Sequence, residues 1–391
     1  MNIDEKIKVV FMPYKISMWD SLESVYESAV KDKDCEVQVV PIPYYEKDSN
    51  NKFIYEGNKF REMGINITHY DDFYSNKELV DVIFIHNVYD EYNTITQIDR
   101  RFFTNELKKL TDTLVYIPYY IPTPLVYKND LYSLNGIDNV DKIILAGEFA
   151  AKTSEIMGTP KEKILTLGSP KFDSISKKIK EKDKFIEWDE EIKGNKVILL
   201  NTGCMHFCND PIGGHIHIDR VFSIARYIEN IVIIWRPHPL TESSIKKYTP
   251  QFLQTYRLVC EDIKNKSSHY PNVILDETSD YMNSISKADL LISNYSSILN
   301  AFLITYKPIV LLTSENSKQS LIPDEYFYYF YNKNESWYEF FYRFIEEDYD
   351  PLKDKRNDIV NELYKNIDNK CGEKVMHNIK WDILSKKKKG K

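Results

Sequence analysis

The sequence predicts an α/β protein of two domains, each built on a mainly parallel sheet. Three observations carry that expectation. Short apolar runs such as Val82-Ile83-Phe84-Ile85, Ile231-Val232-Ile233-Ile234-Trp235 and Ile309-Val310-Leu311-Leu312 have the length of strands buried on both faces. They alternate with helical stretches, the pattern of crossover-connected parallel strands. At 391 residues the chain is long enough for two cores, and its charged, apolar-poor segment 174–195 reads as a linker. The expected domains are 1–173 and 196–345, followed by C-terminal helices and a Lys-rich tail over 346–391.

Taken in order, strand one runs from Lys8 to Met12, and a loop leads to a helix starting near Ser17 or Asp20. Leu22, Val25, Tyr26 and Ala29 share one face of that helix. Lys15 and Trp19 sit where a ligand would meet the loop, although both suit a surface equally. Strand two covers 37–41, and the aromatic, polar stretch 43–57 reads as a surface excursion. The strand 80–85 ends in His86-Asn87-Val88-Tyr89-Asp90, and a strand-terminal His followed by carboxylates can serve as a general base. A structural histidine bonded to a loop is the plainer reading. Strands at 114–117, 143–146 and 164–167 follow, with a helix over 148–157. The second domain opens on the strand 197–200, followed by Asn201, Thr202 and Gly203.

Cys204, His206, Cys208, His215 and His217 crowd the next stretch. Such residues can hold zinc, but the Cys pair and the His pair are spaced like no standard finger, so no metal is expected. On an extended segment His215 and His217 would face one side. A substrate-facing loop and plain structure remain open for them. Strands at 231–235, 273–275, 290–292 and 309–312 complete the second sheet, with a short helix from Asp280 to Ala288. The aromatic run 326–331 suits a core or an interface.

Composition narrows the function classes. The net charge of −7 gives no electrostatic case for a nucleic-acid partner. Five cysteines, an odd and sparse set, suit a reducing compartment. The acidic start MNIDEKIKVVFM reads as a first strand and not a signal peptide, and no apolar run nears the roughly 20 residues of a membrane span. The lysines of 386–391 could favour an anionic membrane surface or form a solvated tail.

Two motifs point to a phosphate ligand. Ser293-Asn294-Tyr295-Ser296-Ser297 breaks an apolar strand with turn formers and opens an apolar helix. Its free N–H groups and hydroxyls suit phosphate. Arg236-Pro237-His238-Pro239 ends another buried strand. Ligands of open α/β sheets collect at the carboxyl ends of strands, so both motifs are expected at one crevice.

Together these motifs resemble the CDP-glycerol glycerophosphotransferases, the teichoic acid primases and polymerases, which carry an RPHP motif, then a DYSS motif, a helix and a KP strand. The corresponding residues are Arg236-Pro237-His238-Pro239, Asn294-Tyr295-Ser296-Ser297 and Lys307-Pro308. Gly168-Ser169-Pro170-Lys171-Phe172-Asp173 is similar to the family's G-x-P-R-x-D signature, and residues 366–375 to its closing D-G-x-x-x-x-R-V element. The resemblance spans about 140–380. It implies a GT-B fold, two Rossmann-like domains facing a central cleft, with the acceptor side N-terminal and the nucleotide donor C-terminal. The donor would be CDP-glycerol or a related CDP-alcohol, with no further cofactor. Its glycerol phosphate would pass to a hydroxyl of a cell-surface polymer or lipid-linked primer, in the cytoplasm or at the inner face of the plasma membrane.

The resemblance places His238 and Arg236 on the diphosphate with Asn294, Tyr295, Ser296 and Ser297. Thr202, Gly203, His215 and His217 are expected around the donor. Two positions depart from the family. Asn294 replaces an Asp, and Ile117-Pro118-Tyr119-Tyr120-Ile121-Pro122-Thr123-Pro124 lacks the His of an H-G-T-P segment. That leaves His86, or the 206–217 stretch, as the expected base. A nucleotide-sugar glycosyltransferase and a non-catalytic nucleotide-binding relative are the alternatives.

Overall fold

Near-continuous apolar strands dictate sheets covered on both faces, and the computed structural model has two such sheets. It describes residues 6–47, 51–76, 78–93, 95–121, 134–313, 322, 326–331 and 336–389. The chain divides into two units. Unit 1 is Met1–Ser174 with Asn361–Lys391, and unit 2 is Ile175–Val360.

In unit 1 the strands are β1 (Ile7–Met12), β2 (Cys35–Val39), β3 (Tyr44–Glu46), β4 (Lys52–Ile54), β5 (Val80–Ile85), β6 (Thr96–Ile98), β7 (Thr111–Tyr116), β8 (Lys142–Ile144) and β9 (Ile164–Leu165). Six of them form a sheet in the order β2-β1-β5-β7-β8-β9, parallel throughout. Val9, Phe11, Val82 and Phe84 face one core; Val10, Met12, Ile83 and Ile85 face the other. This is the period of two expected for a doubly covered sheet.

The stretch 43–57 is more than a surface excursion. It supplies β3 and β4, which join β6 in an antiparallel sheet, and Tyr44 is buried in the core. Trp19 is likewise a core residue, packed edge-on against Phe11 and Phe60. The helix expected near Ser17 is a tight 3-10 turn over Ile16–Ser21 followed by an α-helix over Glu23–Lys31.

The helix Cys371–Lys389 belongs to unit 1 and completes its core. Cys371, Val375, Met376, Ile379 and Ile383 pack with Val25 and Ala29 of the Glu23–Lys31 helix. Two of the sequence motifs meet here. Asp173 accepts hydrogen bonds from the N–H groups of Cys371 (3.2 Å) and Gly372 (2.8 Å), capping the helix. A Cβ on Gly372 would lie 2.3 Å from the Ser24 carbonyl carbon, so the position admits only glycine without a shift. Gly168 has φ +91° and sits against the Lys365 carbonyl. The G-S-P-K-F-D and N-K-C-G elements therefore form one structural joint within unit 1.

Unit 2 has β10 (Lys196–Thr202), β11 (Ile231–Pro237), β12 (Val273–Leu275), β13 (Leu290–Ser293), β14 (Ile309–Leu311) and β15 (Tyr328–Tyr329). Their order is β12-β11-β10-β13-β14-β15, again all parallel. The charged segment expected as a linker is helical over Lys171–Lys180 and Asp189–Ile192. Within unit 2 it is held by Trp188, which is buried, and by an ion pair from Lys287 to Asp189.

Candidate active site

From β10 the chain builds outward through β11 to β12, then returns to the other side of β10 for β13, β14 and β15. The connectivity reverses between β10 and β13, and that is where an open parallel sheet opens a crevice at its carboxyl end. Asn201, Thr202 and Gly203 end β10, Arg236 and His238 end β11, and Ser293 to Ser297 follow β13. The two sequence motifs are thus brought to one edge of unit 2, as their strand-terminal placement predicts.

A closed hydrogen-bond network shapes the turn after β13. Asn201 Nδ2 donates to Ser293 Oγ (2.9 Å) and Ser296 Oγ (3.0 Å). Ser293 Oγ donates to the Asn294 carbonyl (2.6 Å) and lies 3.3 Å from Ser296 Oγ. Ser296 Oγ also accepts from Leu299 N–H (3.2 Å), which makes it the N-cap of the helix Ser297–Leu303. With Ser293 donating to a carbonyl, the Ser296 proton is directed at Ser293. Ser296 is therefore a shaping residue. Ser297 is exposed at the helix start. Lys307 closes the far end of this element by donating to the Ala288 carbonyl.

Arg236 is buried and engaged. Its NH1 pairs with Asp276 Oδ2 at 2.6 Å and its NH2 donates to the Thr278 carbonyl at 2.9 Å. Asp276, fully buried, also accepts from Thr278 and Ser284. The guanidinium thus fastens the end of β11 to the segment after β12. Thr202 is buried too. Its hydroxyl accepts from Trp235 Nε1 (3.2 Å) and its carbonyl from His238 N–H (2.9 Å), so it positions its neighbours. Gly203 is open, with nothing within 4 Å of where a side chain would start.

His238 is exposed beside these groups. The Leu240 N–H donates to its Nδ1 (3.1 Å), which fixes the neutral tautomer with the proton on Nε2. Partial desolvation and the Arg236 charge both hold its pKa below the ordinary imidazole value. A neutral imidazole with an outward Nε2–H is a donor for a phosphate oxygen or a leaving-group oxygen.

His215 and His217 are not on an extended segment. They lie in the helix Pro211–Tyr227, which Asp210 caps by accepting from Gly213 N–H (2.9 Å), with Pro211 in the first turn. His215 Nδ1 bonds the Pro211 carbonyl (2.7 Å), and its ring sits between Phe207 and Phe252, an interior position. His217 instead faces Tyr331 (5.2 Å) and His206 (5.9 Å), and Arg220 lies over the Tyr331 ring. His206 bonds the Gly214 carbonyl and Asn294, and burial pulls its pKa down to about 4. Asn294 and the helix 211–227 are therefore neighbours. Among the described residues no three His, Cys, Asp or Glu side chains are gathered as a metal would need.

In unit 1, His86 corrects the expectation of a general base. It is fully buried, its Nε2 accepts from Tyr14 N–H (3.2 Å), and its Nδ1 lies 3.2 Å from both the Met18 carbonyl and Ser21 Oγ. Burial pulls its pKa down to about 3. Both nitrogens are occupied, so it is a structural brace. Asp90, four residues on, is buried against Thr104. Of the segment lacking the family's His, Pro122, Thr123 and Pro124 lie outside the described residues. Sequence reasoning missed Asp276 and Arg220, and it named Asn201, Ser293 and Tyr331 without the partners that the structure gives them. Asp276 was signalled by its place at a strand end, followed by the turn formers Thr278 and Asp280.

Several solved structures share the fold. A Listeria monocytogenes protein assigned as a UDP-N-acetylglucosamine 2-epimerase aligns over 97% of each chain, at 12% identity and TM-score 0.63. The wall teichoic acid polymerase TagF aligns over 97% of this chain and 90% of its own, at 13% identity and TM-score 0.61. A complex of S. aureus MnaA with UDP aligns over 97% of each, at 11% identity and TM-score 0.58. These likenesses carry the fold, GT-B. No curated protein matches the chain significantly. The sequence model of the family described as CDP-Glycerol:Poly(glycerophosphate) glycerophosphotransferase matches residues 128–379, well over half the length, and with both strand-end motifs inside that span the chain is a transferase that belongs to this family.

Proposed function

We propose that unit 2 binds CDP-glycerol at the β10/β13 edge and that glycerol phosphate passes from it to a hydroxyl of a surface polymer or its lipid-linked primer. The acceptor oxygen attacks the β-phosphorus, the bond from that phosphorus to the bridging oxygen breaks, and CMP leaves with the electron pair. The acceptor proton goes to solvent or a base. Such a transfer depends on positioning and charge neutralisation more than on covalent help. The observation that carries the reading is the neutral, exposed His238 after β11, its N–H bonded to the Thr202 carbonyl next to the open Gly203, with the adjacent Asn201 holding the Ser293–Ser297 turn after β13. In this arrangement His238 Nε2–H donates to the diphosphate or the departing CMP oxygen. Ser297 holds a phosphate oxygen. Arg236, engaged with Asp276 and Thr278, fastens the end of β11 that leads to His238, while Asn294 and Tyr295 line the turn. His217 with Tyr331 and Arg220 borders the same edge.

TagF was solved soaked with CDPG, and the family's donor supports the same nucleotide here. The test is calorimetric titration of the protein with CDP, UDP and GDP, in chelator and then with divalent metal. CDP binding at least tenfold tighter than UDP or GDP is the expected outcome, and a preference for UDP or GDP would overturn the reading. Loss of CDP binding in chelator would show that a metal is part of the site.

A peripheral membrane contact is a further part of the proposal. No helix among the described residues is long and apolar enough to cross a membrane. Lys386 pairs with Asp382 and Thr113, and Lys387 with Asp81, so part of the tail's charge is engaged. Sedimentation with anionic liposomes, with and without residues 386–391, tests it; equal sedimentation would remove the tail from the account.

A further inference from the structure

The turn after β13 is held from two sides. Asn201 holds one, through Ser293 and Ser296. His206, in the loop that follows β10, holds the other. That loop is compact: Phe207 is fully buried, His206 N–H bonds the Gly203 carbonyl (3.0 Å), and Cys208 N–H bonds the Met205 carbonyl (3.0 Å). Its seat depends on Gly214, in the first turn of the helix Pro211–Tyr227, where a Cβ would lie 2.7 Å from the His206 carbonyl oxygen. The glycine lets the loop close onto the helix, and the imidazole comes to lie between two elements.

His206 Nε2 is 3.2 Å from the Gly214 carbonyl oxygen. A carbonyl only accepts, so Nε2 carries the proton of the neutral ring. The bond between His206 and the Asn294 side chain then falls to Nδ1 as acceptor, with the Asn294 amide donating. The Asn294 carbonyl in turn accepts from Ser293 Oγ (2.6 Å). The imidazole thus bridges the start of the helix and the turn after β13. Burial keeps it neutral against the two bonds, helped by His217, 5.9 Å away, and His215. Among the described residues no carboxylate pairs with it, and Arg220, Asp210 and Tyr331 face His217. An asparagine suits this neutral ring as an aspartate would not, because a carboxylate has no proton to give Nδ1 and favours the charged form.

We propose that His206 is a positioning residue for the donor, locking the Ser293–Ser297 turn to the helix Pro211–Tyr227 through Asn294. It rests on the CDP-glycerol reading of this turn. His206 acts through Asn294 without touching the donor: a turn fixed beforehand need not be ordered when the ligand arrives, and affinity rises by that saving.

The test has two readouts on the full chain between pH 5.5 and 8. The first is titration of the His206 ring by NMR, assigned by its loss in His206→Gln, in wild type and in Asn294→Asp. The second is calorimetric CDP affinity of wild type, Asn294→Asp, His206→Phe, His206→Gln and the exposed control His377→Gln. The wild-type ring is expected not to titrate in this range, and Asn294→Asp to raise its pKa by about 1–3 pH units, into the range. His206→Phe keeps a ring and loses both bonds, so it binds CDP about tenfold more weakly. His206→Gln, with a donor and an acceptor, recovers part of that loss, and the control matches wild type. Relative to wild type at each pH, Asn294→Asp is weakest at pH 8 and regains affinity as the ring becomes charged and an ion pair restores the bridge. A ring that titrates alike in wild type and Asn294→Asp, or a CDP affinity ratio of that variant to wild type that does not change with pH, would overturn the proposal; so would equal CDP affinity in a folded His206→Phe. Asn294→Asp is isosteric and decides the matter even where His206→Phe does not fold. No CDP binding by wild type would remove the donor reading and this role together, whereas CDP binding indifferent to His206 removes this role alone.

Discussion

Replacing His238 by Ala removes the Nε2–H without touching the core, since the side chain is exposed and, among the described residues, is bonded through Nδ1 alone. Turnover is expected to fall by two to three orders of magnitude or more, the scale of losing a group that acts on developing charge, with an unchanged melting temperature. Arg236→Ala should behave differently. It leaves Asp276 buried without its partner, which costs about 3–5 kcal/mol, so stability and activity fall together, and a melting curve separates the two variants.

His86 and His206 set a pH dependence of stability. Their folded pKa values, about 3 and about 4, lie below the unfolded value near 6.5. The unfolded chain binds these protons first, so the stability they contribute is complete above pH 6.5 and is lost as pH falls towards 4 and then 3. Denaturant titrations from pH 7 to 4 should show that slope, and His86→Gln should flatten it; an identical slope in the variant would contradict the buried, neutral assignment.

At the scale of elements, the joint between Asp173 and the Cys371–Lys389 helix is the most exposed to test. Asp173→Ala removes both cap bonds, at a cost of about 1–2 kcal/mol. Gly372→Ala drives a Cβ into the Ser24 backbone, at a cost of about 1–3 kcal/mol. Each should lower the melting temperature while CDP binding by folded protein persists; a neutral Gly372→Ala would show that the helix is not seated as described. The strands of both sheets were legible because buried parallel strands are plain apolar runs. The 43–57 hairpin was not, because its strands are three residues each and mix Tyr, Glu and Lys. The helix 211–227 was misread through attention to its histidines, although Asp210-Pro211 is an N-cap followed by a first-turn proline. That signal outweighs the alternation of two side chains.

For the whole molecule, the two strand-end motifs come to one edge of unit 2 because the fold itself gathers the carboxyl ends of β10, β11 and β13. What sequence could not supply was which side chains face outward. Arg236 and Thr202 looked like ligands and are buried, whereas Asp276 and Asn201, distant in sequence, hold the site in shape. Burial of a polar residue depends on partners that only the fold brings together. The same reasoning applies to the C-terminal helix, whose apolar face completes the unit 1 core from the far end of the chain. Ending the chain before Cys371 should leave that core open and make residues 1–174 protease-sensitive; resistance equal to the full chain would contradict that packing.

The most direct measurement of the central claim is release of CMP from CDP-glycerol with a glycerophosphate-bearing acceptor, comparing wild type with His238→Ala. The account predicts multiple-turnover CMP release by wild type, dependent on acceptor, and loss of that release in a variant that still folds. Wild-type rates in His238→Ala would contradict it.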